Sequence, residues 1–154
     1  MSETTIELAS AVDAETLQNM SIIAFTSDFK QYGAFPPHIQ SVEWHLSQIE
    51  KGHYFKIEYS GEMAGGICLI LHGESLIKIK YFFIVESFQN KRIGSQVIKL
   101  IEEQYNNVAT WSLVTPYKAY RNHHFYEKLG YVKIGEIQPD PNDEFKIFKY
   151  IKNC

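Results

Sequence analysis

The sequence predicts a mixed α/β fold of the α+β type, in which helices pack on a mostly antiparallel sheet. The chain has 154 residues, of which 45% are hydrophobic, and this is enough to bury the core of one domain. Its periodicity gives the element order β-α-α-β-β-β-α-β-α-β-β. The run of three consecutive strands, followed by β-α-β, indicates a single mixed sheet. We therefore expect residues 1–154 to form a single domain.

The first part of the chain carries one strand and two helices. Residues 4–10 alternate between polar and apolar types, as in a short strand, and Asp13 follows as the expected cap of a helix. The apolar positions of that helix recur at helical spacing, with Ile23 among them. Residues 27–38 contain Gly and Pro breakers and are expected to form a loop. A second helix then ends at Gly52, a residue type favoured just beyond a helix C-terminus.

Three strands come next, joined by two short turns. Residues 53–59, 63–71 and 76–85 are rich in β-branched and aromatic types, and the turns "SGE" and "HGES" separate them. Gly65 and Gly66 lie inside the middle strand. This position indicates a β-bulge or the close approach of another backbone.

The rest of the chain alternates helices with strands. Helical spacing covers residues 94–105 and 120–130, and a strand is expected between them at 110–116. Residues 131–137 and 144–152 close the chain as two further strands.

Composition excludes several classes of protein. A net charge of −3 gives no basic excess, so no nucleic-acid partner is expected. No apolar stretch approaches the ~20 residues that span a bilayer, and the first residues lack a signal-peptide pattern, so no membrane partner is expected. Cys68 and Cys154 lack the spacing of a metal site or a disulfide framework. We expect a cytoplasmic protein that holds no metal.

A polar, basic turn separates the strand at 76–85 from the helix at 94–105. It reads "QNKRIGS" and consists of Gln89, Asn90, Lys91, Arg92, Ile93, Gly94 and Ser95. A helix N-terminus offers free N–H groups and the positive end of the helix dipole, which together favour a phosphate. Gly94 would let a phosphate approach the backbone closely, and Lys91 and Arg92 add positive charge. The stretch is neither a P-loop nor a dinucleotide-binding fingerprint, so a pyrophosphate cradle and a solvated basic turn both remain open at this point.

A second motif, "RNHHFYEKLGY" at residues 121–131, accompanies the turn. Together "QNKRIGS" and "FYEKLGY" resemble the pyrophosphate turn and the C-terminal helix of the GNAT-type N-acetyltransferases, in the family's order and with one helix and one strand between them. Residues 36–57 are also similar to a bacillus-type subgroup of small acetyltransferases. The resemblance implies the GNAT fold, a central, mostly antiparallel sheet of six to seven strands that is splayed at strand four and flanked by about four helices.

The resemblance also implies a reaction, the transfer of the acetyl group of acetyl-CoA to a primary amine of a small molecule or peptide. The amine attacks directly in a ternary complex, and acetyl-CoA is a co-substrate. Gln89 through Ser95 match the residues that bind the pyrophosphate, and backbone groups near Phe83 and Ile84 match those that hold the pantetheine and thioester. Tyr126 matches the Tyr that protonates the departing thiolate. A phenol with an ordinary pKa of ~10 stays protonated at neutral pH, as that role requires.

Three departures from the family pattern concern the site. An earlier glycine of the turn is Arg92 here, whose guanidinium suits bidentate contact with phosphate. The Asn that relatives carry seven residues before the Tyr is Ala119, and Asn122 is the nearby candidate CoA ligand. Relatives often carry a Glu in strand four, where this chain has Lys78 and Lys80, so the general base is unassigned. These departures support an alternative, a non-catalytic acyl-CoA-binding module with the GNAT fold.

Histidines and carboxylates near the motifs have two interpretations each. His123 and His124 adjoin the "FYEKLGY" stretch, and we expect one to be packed and one exposed rather than either to relay a proton. Glu74 and Glu86 flank strand four. Each is either a base that acts through water or a solvated residue at the end of a turn.

The acceptor site is the least determined part of the sequence. Aromatic residues crowd the first two helices and their loop, at Phe25, Phe29, Tyr32, Phe35 and Trp44. In the family this region forms the acceptor pocket, where Asp28, Glu43 or Glu50 would attract an ammonium group; a purely structural core is the alternative. Similar proteins commonly dimerise, so a homodimer is one expectation for the assembly.

Overall fold

The computed structural model describes residues 3–32, 38–89 and 91–154, and of residues 27–32 it describes the backbone only. The strands are β1 (Thr4–Leu8), β2 (Tyr54–Tyr59), β3 (Glu62–His72), β4 (Leu76–Ile84), β5 (Thr110–Pro116), β6 (Val132–Ile137) and β7 (Ile147–Asn153). The α-helices are α1 (Ala14–Tyr32), α2 (Val42–Glu50), α3 (Ile93–Gln104) and α4 (Tyr120–Lys128). This order confirms the one read from the sequence.

The seven strands belong to one sheet with the order β1-β2-β3-β4-β5-β7-β6. The pairs β1–β2, β2–β3, β5–β7 and β6–β7 are antiparallel, whereas β4 and β5 are parallel. Register pairs between β4 and β5 run from Leu76–Thr110 to Lys78–Ser112, at the start of both strands. Within the described part of the chain, both strands continue past these pairs, which agrees with the expected splay at strand four. The mixed, mostly antiparallel fold is therefore confirmed.

The chain divides into two compact units, Met1–Leu69 with Tyr81–Asn106, and Ile70–Lys80 with Asn107–Cys154. The single domain expected over residues 1–154 stays a prediction. In the first unit, a core cluster joins the helices to the strands through Leu17, Ile39, Tyr54, Tyr81 and Phe83, among others. Helix α3 buries Ile93, Val97, Ile98 and Ile101, a stripe at helical spacing.

In the second unit, β5 and β7 pair along their whole length. Trp111 and Leu113 of β5 are buried, as is Tyr150 of β7. The Tyr150 hydroxyl donates to the Glu127 carboxylate at 2.8 Å, which ties α4 to the strand. Helix α4 ends at a turn in which Gly130 has a φ of 96°, the left-handed conformation that favours glycine.

The first helix differs from its prediction at both ends. Its entry is a 3₁₀ turn capped by Ser10, and the Asp13 carboxylate accepts from the Ser10 N–H at 2.8 Å, so Asp13 completes the cap instead of being the cap residue. Helix α1 continues to Tyr32, where a loop was expected from residue 27. Ile23, assigned to the apolar face, is 65% exposed. Residues 33–37 of the expected loop lie outside the described residues.

The two glycines of β3 fulfil both parts of their prediction. The β2–β3 register shifts between Ile57 and Glu58, opposite the segment that begins at Met63, which marks a bulge. A Cβ at Gly65 would overlap the Phe83 carbonyl oxygen, and a Cβ at Gly66 would meet the Phe83 ring at 2.7 Å. The absence of a side chain at both positions lets β4 approach β3 closely.

In the described part of the chain, no helix has the length and apolarity needed to cross a membrane.

Candidate active site

The turn after β4 is held by backbone hydrogen bonds and by one of its own side chains, that of Gln89. A 3₁₀ turn at Glu86–Phe88 follows the strand, and the Gln89 N–H donates to the Glu86 carbonyl at 3.0 Å. The Gln89 amide then reaches back and donates to the Ile84 carbonyl, also at 3.0 Å. The Gln89 side chain thus fixes the turn on the end of β4. Asn90 lies outside the described residues.

Arg92 is the residue that turns the chain into α3. It is the N-cap, with φ 60° and ψ 18°, in the left-handed region. For an L-residue this region is unfavourable because the Cβ crowds the backbone, whereas glycine has no such penalty. This explains why the family pattern has a glycine at this position. Arg92 adopts the same left-handed backbone conformation at a cost in conformational free energy.

The first turn of α3 presents free N–H groups. Helix geometry leaves the amides of Ile93, Gly94 and Ser95 without an intrahelical acceptor, and the Gln96 N–H is the first to donate within the helix, to the Arg92 carbonyl at 3.4 Å. The Ile93 side chain is 1% exposed and anchors this turn in the core. The Ser95 hydroxyl donates to the Arg92 carbonyl at 3.2 Å, a local bond.

Positive charge surrounds the same turn. Lys91 and Arg92 are both exposed. The Lys91 ammonium lies 5.8 Å from the centre of the Tyr59 ring, and Tyr59 in turn packs edge-on against Phe88. Free amides, the positive end of a 12-residue helix and two exposed cations are groups that favour an anion.

The end of β4 adjoins the turn. Phe83 is buried, with its carbonyl oxygen against Gly65, and the Ile84 carbonyl is engaged by Gln89. Burial alternates along β4, and Lys78 and Lys80 fall on the half-buried positions. Gln89–Ser95, Phe83 and Ile84 all belong to the first unit.

Tyr126 belongs to the second unit, on α4. The side chain is 9% exposed and packs against the rings of Phe125 and Tyr131, at centroid distances of 5.0 and 5.6 Å. Its hydroxyl has no hydrogen-bond partner among the described residues, yet it is not sealed from solvent as the Tyr81 hydroxyl is. Burial raises the pKa of the Tyr126 phenol. The group therefore stays protonated at neutral pH and has a proton to donate.

The other candidates on α4 are engaged locally. The Asn122 amide donates to the Thr115 hydroxyl of β5 at 3.2 Å. Ala119 is the N-cap and provides no side-chain cap. His123 is buried, bonded to the Pro116 carbonyl at 2.9 Å and stacked on Phe148, whereas His124 is exposed. One packed and one exposed histidine is the arrangement expected from the sequence.

In the region expected to receive the acceptor, which lies in the first unit, Phe25 and Trp44 are half-buried and both contact Tyr81. The side chains of Asp28, Phe29 and Tyr32, and all of Phe35, lie outside the described part. Glu43 and Glu50 are exposed. Tyr81 is not among the residues predicted from the sequence, because its place in the buried alternation of β4 marks it only as a core residue.

Glu74 and Glu86, the carboxylates that flank β4, are exposed, and in the described residues no three His, Cys, Asp or Glu side chains are grouped as metal ligands would be.

Solved structures with this fold cover essentially the whole chain. PaiA N-acetyltransferase from Thermoplasma acidophilum, in complex with coenzyme A, has a TM-score of 0.80 at 17% identity and covers 100% of both chains. An acetyltransferase from Thermus thermophilus has a TM-score of 0.79 at 16% identity, over 100% of this chain and 98% of that chain. A GNAT-family acetyltransferase from Bacillus anthracis has a TM-score of 0.74 at 15% identity, over 98% of this chain and 95% of that chain. At such identities the likeness concerns the fold, which is that of the acetyltransferases.

The sequence itself defines the family. The model of the acetyltransferase (GNAT) domain matches residues 50–133, more than half of the chain. The chain therefore belongs to the GNAT acetyltransferase family, and its enzyme class is that of the acetyltransferases. No curated protein matches the sequence. Membership of the bacillus-type subgroup stays a prediction.

Proposed function

We propose that the protein transfers the acetyl group of acetyl-CoA to a primary amine of a small molecule or peptide. The observation that carries the proposal is the start of α3, where free amides and two exposed cations follow β4 after one 3₁₀ turn. This arrangement suits a pyrophosphate, the most highly charged part of the CoA chain outside its 3′-phosphate. Its place in the chain is also the place of the family's cofactor turn.

In this proposal, the amides of Ile93, Gly94 and Ser95 donate to the pyrophosphate, and Lys91 and Arg92 neutralise it. Asn90 belongs to the same turn and is included in the proposed site. Gln89 acts by holding the turn on β4, because its amide bonds to the Ile84 carbonyl. Asn122 can contact CoA only if its side-chain amide gives up the hydrogen bond to the Thr115 hydroxyl.

The acetyl end would lie at the end of β4, along the backbone of Phe83 and Ile84. There the amine nitrogen attacks the thioester carbonyl carbon, and backbone N–H groups stabilise the oxyanion that forms. Collapse breaks the C–S bond, and Tyr126 gives its proton to the thiolate. The proton that the amine loses restores Tyr126 through solvent. Glu74 and Glu86 reach water and remain candidates for the base, which is unassigned.

The first test addresses the cofactor turn. Gly94→Trp inserts a large side chain where the phosphate would approach, so we expect acetyl-CoA binding, measured by calorimetry, to be lost in a folded protein. Gly135→Trp is the matched control, because a Cβ at Gly135 meets nothing within 4 Å. Acetyl-CoA binding that survives Gly94→Trp, or no binding by the folded wild type, would leave the turn a solvated basic loop.

The second test separates catalysis from binding. Tyr126→Phe should reduce kcat by roughly 10²-fold or more, the usual range for a proton donor, and leave the Kd of acetyl-CoA unchanged. Tyr120→Phe on the same helix is the control, since Tyr120 is largely exposed. Equal turnover in both variants would remove Tyr126 from the mechanism. A wild type that binds acetyl-CoA but acetylates no amine in a broad screen would be the acyl-CoA-binding module.

The same proposal includes a homodimeric assembly and a cytoplasmic location. Neither Cys68 nor Cys154 forms a disulfide, as a reducing compartment would allow.

A further inference from the structure

The last residue of β2, Tyr59, lies beside the segment that leads into α3. Phe55 and Tyr59 share one face of β2, because side chains alternate along a strand. Phe55 contacts Tyr105 at the end of α3, with ring centroids 6.2 Å apart. Tyr59 contacts Phe88, which precedes α3, with centroids 6.3 Å apart. Contacts at both ends of α3 therefore align the helix with β2, and Tyr59 is next to the helix start.

The Tyr59 ring contacts the Lys91 ammonium. The Lys91 Nζ lies 5.8 Å from the centre of the ring, inside the limit of about 6 Å for a cation–π contact. Phe88 packs against the same ring at an interplanar angle of 67°, and the Phe88 N–H donates to the Val85 carbonyl at 2.9 Å. The ring that contacts Lys91 is therefore supported by the 3₁₀ turn that follows β4.

A further contact fixes the orientation of the Tyr59 ring. The Glu3 carboxylate accepts a hydrogen bond from the Tyr59 hydroxyl, and this bond raises the pKa of the phenol. The Ser60 N–H donates to the Glu3 carbonyl at 2.9 Å, which extends the β1–β2 pairing to these residues. The ring is thus held at its hydroxyl by β1 and at its side by Phe88.

Lys91 is restricted before any ligand arrives, yet it keeps donors to offer. Lys91 is exposed, and a free lysine side chain loses rotamer freedom when it binds a phosphate. Contact with the Tyr59 ring removes part of that freedom in advance. The ammonium has three N–H donors, and the ring covers only one side of it. Lys91 also directly precedes the N-cap Arg92, so its charge lies next to the amides that are proposed to bind the pyrophosphate.

We propose that Tyr59 is a positioning residue for the cofactor, whose ring holds the Lys91 ammonium beside the start of α3, where the ammonium meets a pyrophosphate oxygen of CoA. Tyr59 acts through Lys91 and does not touch CoA itself. Because the lysine is restricted in advance, CoA binds more tightly than it would to an unrestrained lysine. This inference rests on the proposed function, since it assigns a role within the turn that is proposed to bind CoA.

The first test compares two substitutions of Tyr59 by calorimetric titration of CoA. Tyr59→Leu removes the ring and should weaken CoA binding roughly two- to fivefold, the effect of one exposed cation–π contact. Tyr59→Phe is the matched control, because it keeps the ring and loses only the bond to Glu3, and its Kd should stay within about twofold of the wild type. In turnover, Tyr59→Leu should raise the KM for acetyl-CoA and leave kcat unchanged.

A double-mutant cycle with Lys91 separates positioning from a structural role. Lys91→Ala should weaken CoA binding roughly tenfold, the effect of one lost bond to a charged group. Tyr59→Leu should then add nothing in the Lys91→Ala background, whereas a structural role would add the same factor in both backgrounds. Dephospho-CoA keeps the pyrophosphate and lacks the 3′-phosphate, so Tyr59→Leu should weaken its binding by the same factor as that of CoA.

Proton NMR tests the contact itself without any ligand. The ring current of Tyr59 should shift the ε-methylene protons of Lys91 upfield in the wild type and in Tyr59→Phe. In Tyr59→Leu these protons should return to the usual lysine position. The same spectra show whether each variant is folded, so weaker CoA binding by Tyr59→Leu can be assigned to the lost ring.

Several outcomes would overturn the inference. CoA binding by Tyr59→Leu that equals that of the wild type, or a loss that persists in the Lys91→Ala background, would remove Tyr59 from this role. Loss of the effect with dephospho-CoA would place Lys91 on the 3′-phosphate, and a Tyr59→Phe as weak as Tyr59→Leu would assign the effect to Glu3. Failure of the proposed function is seen separately, as absence of CoA binding by the wild type, while the NMR shift still reports on the contact between Tyr59 and Lys91.

Discussion

Arg92 is a residue whose side chain and backbone serve different needs. Its positive φ creates the sharp entry into α3, for which glycine is the natural choice, yet its guanidinium adds charge beside the free amides of the helix. Left-handed backbone costs an L-residue roughly 1–2 kcal/mol. Arg92 therefore carries a backbone cost that glycine would avoid, and what it adds in exchange is a positive charge beside the free amides of the helix.

Replacing Arg92 by Gly and by Ala separates the two effects. Both variants lose the guanidinium, so both should bind acetyl-CoA more weakly, with a smaller dependence on salt. Only Gly relieves the strain, and Arg92→Gly should therefore be more stable than Arg92→Ala by roughly 1 kcal/mol in urea unfolding. Equal stability would show that the entry into α3 relaxes to another conformation, and unchanged binding in both would place the guanidinium away from the phosphates.

At the scale of elements, the proposed thioester site at the end of β4 would depend on how closely β3 approaches β4. The bulge in β3 and the missing side chains at Gly65 and Gly66 let the Phe83 backbone and ring lie against this strand. The Val85 N–H then donates to the Ala64 carbonyl at 2.9 Å, which holds the end of β4 next to the bulge. The backbone around Phe83 and Ile84 is thus positioned by glycines on a neighbouring strand.

Gly65→Ala tests this dependence. The new Cβ would overlap the Phe83 carbonyl oxygen, a backbone atom that moves only with its strand, so we expect a loss of about 1–3 kcal/mol in the free energy of unfolding. If the end of β4 holds the thioester, kcat should fall as well. Gly135→Ala makes the same chemical change on β6 in open space and should be neutral or slightly stabilising. Similar stabilities for the two variants would contradict the close approach.

For the whole molecule, the order of elements followed from the sequence because each element has a clean period and a turn signal. The end of α1 did not, because Ser27–Tyr32 carry no strong breaker and the packing of a helix end is not a local property. Two short motifs were enough to select Gln89–Ser95 and Tyr126 as candidate site residues. They did not select Tyr59, because its contact with Lys91 depends on how α3 lies along β2, and these two elements come from separate parts of the chain.

His45 makes the stability of the molecule depend on pH. It is fully buried between Ile39 and Tyr54, with one nitrogen donating and the other accepting, and burial lowers its pKa. Below about pH 6.5 the unfolded chain protonates this histidine while the folded chain does not. The unfolded state then binds more protons, so the free energy of unfolding should fall as the pH drops from about 6.5 towards the lowered folded pKa.

The size of this effect is bounded by one proton. The slope cannot exceed about 1.36 kcal/mol per pH unit from this group, and urea unfolding at pH values between 5 and 7.5 would measure it. His45→Gln can still donate to the Ile39 carbonyl and accept from the Tyr54 hydroxyl, although its fit is poorer. We expect it to be less stable than the wild type at pH 7.5 and to have a smaller slope below pH 6.5. A slope as steep as that of the wild type would mean that the pH dependence arises elsewhere, and that His45 takes up its proton in the folded protein as readily as in the unfolded chain.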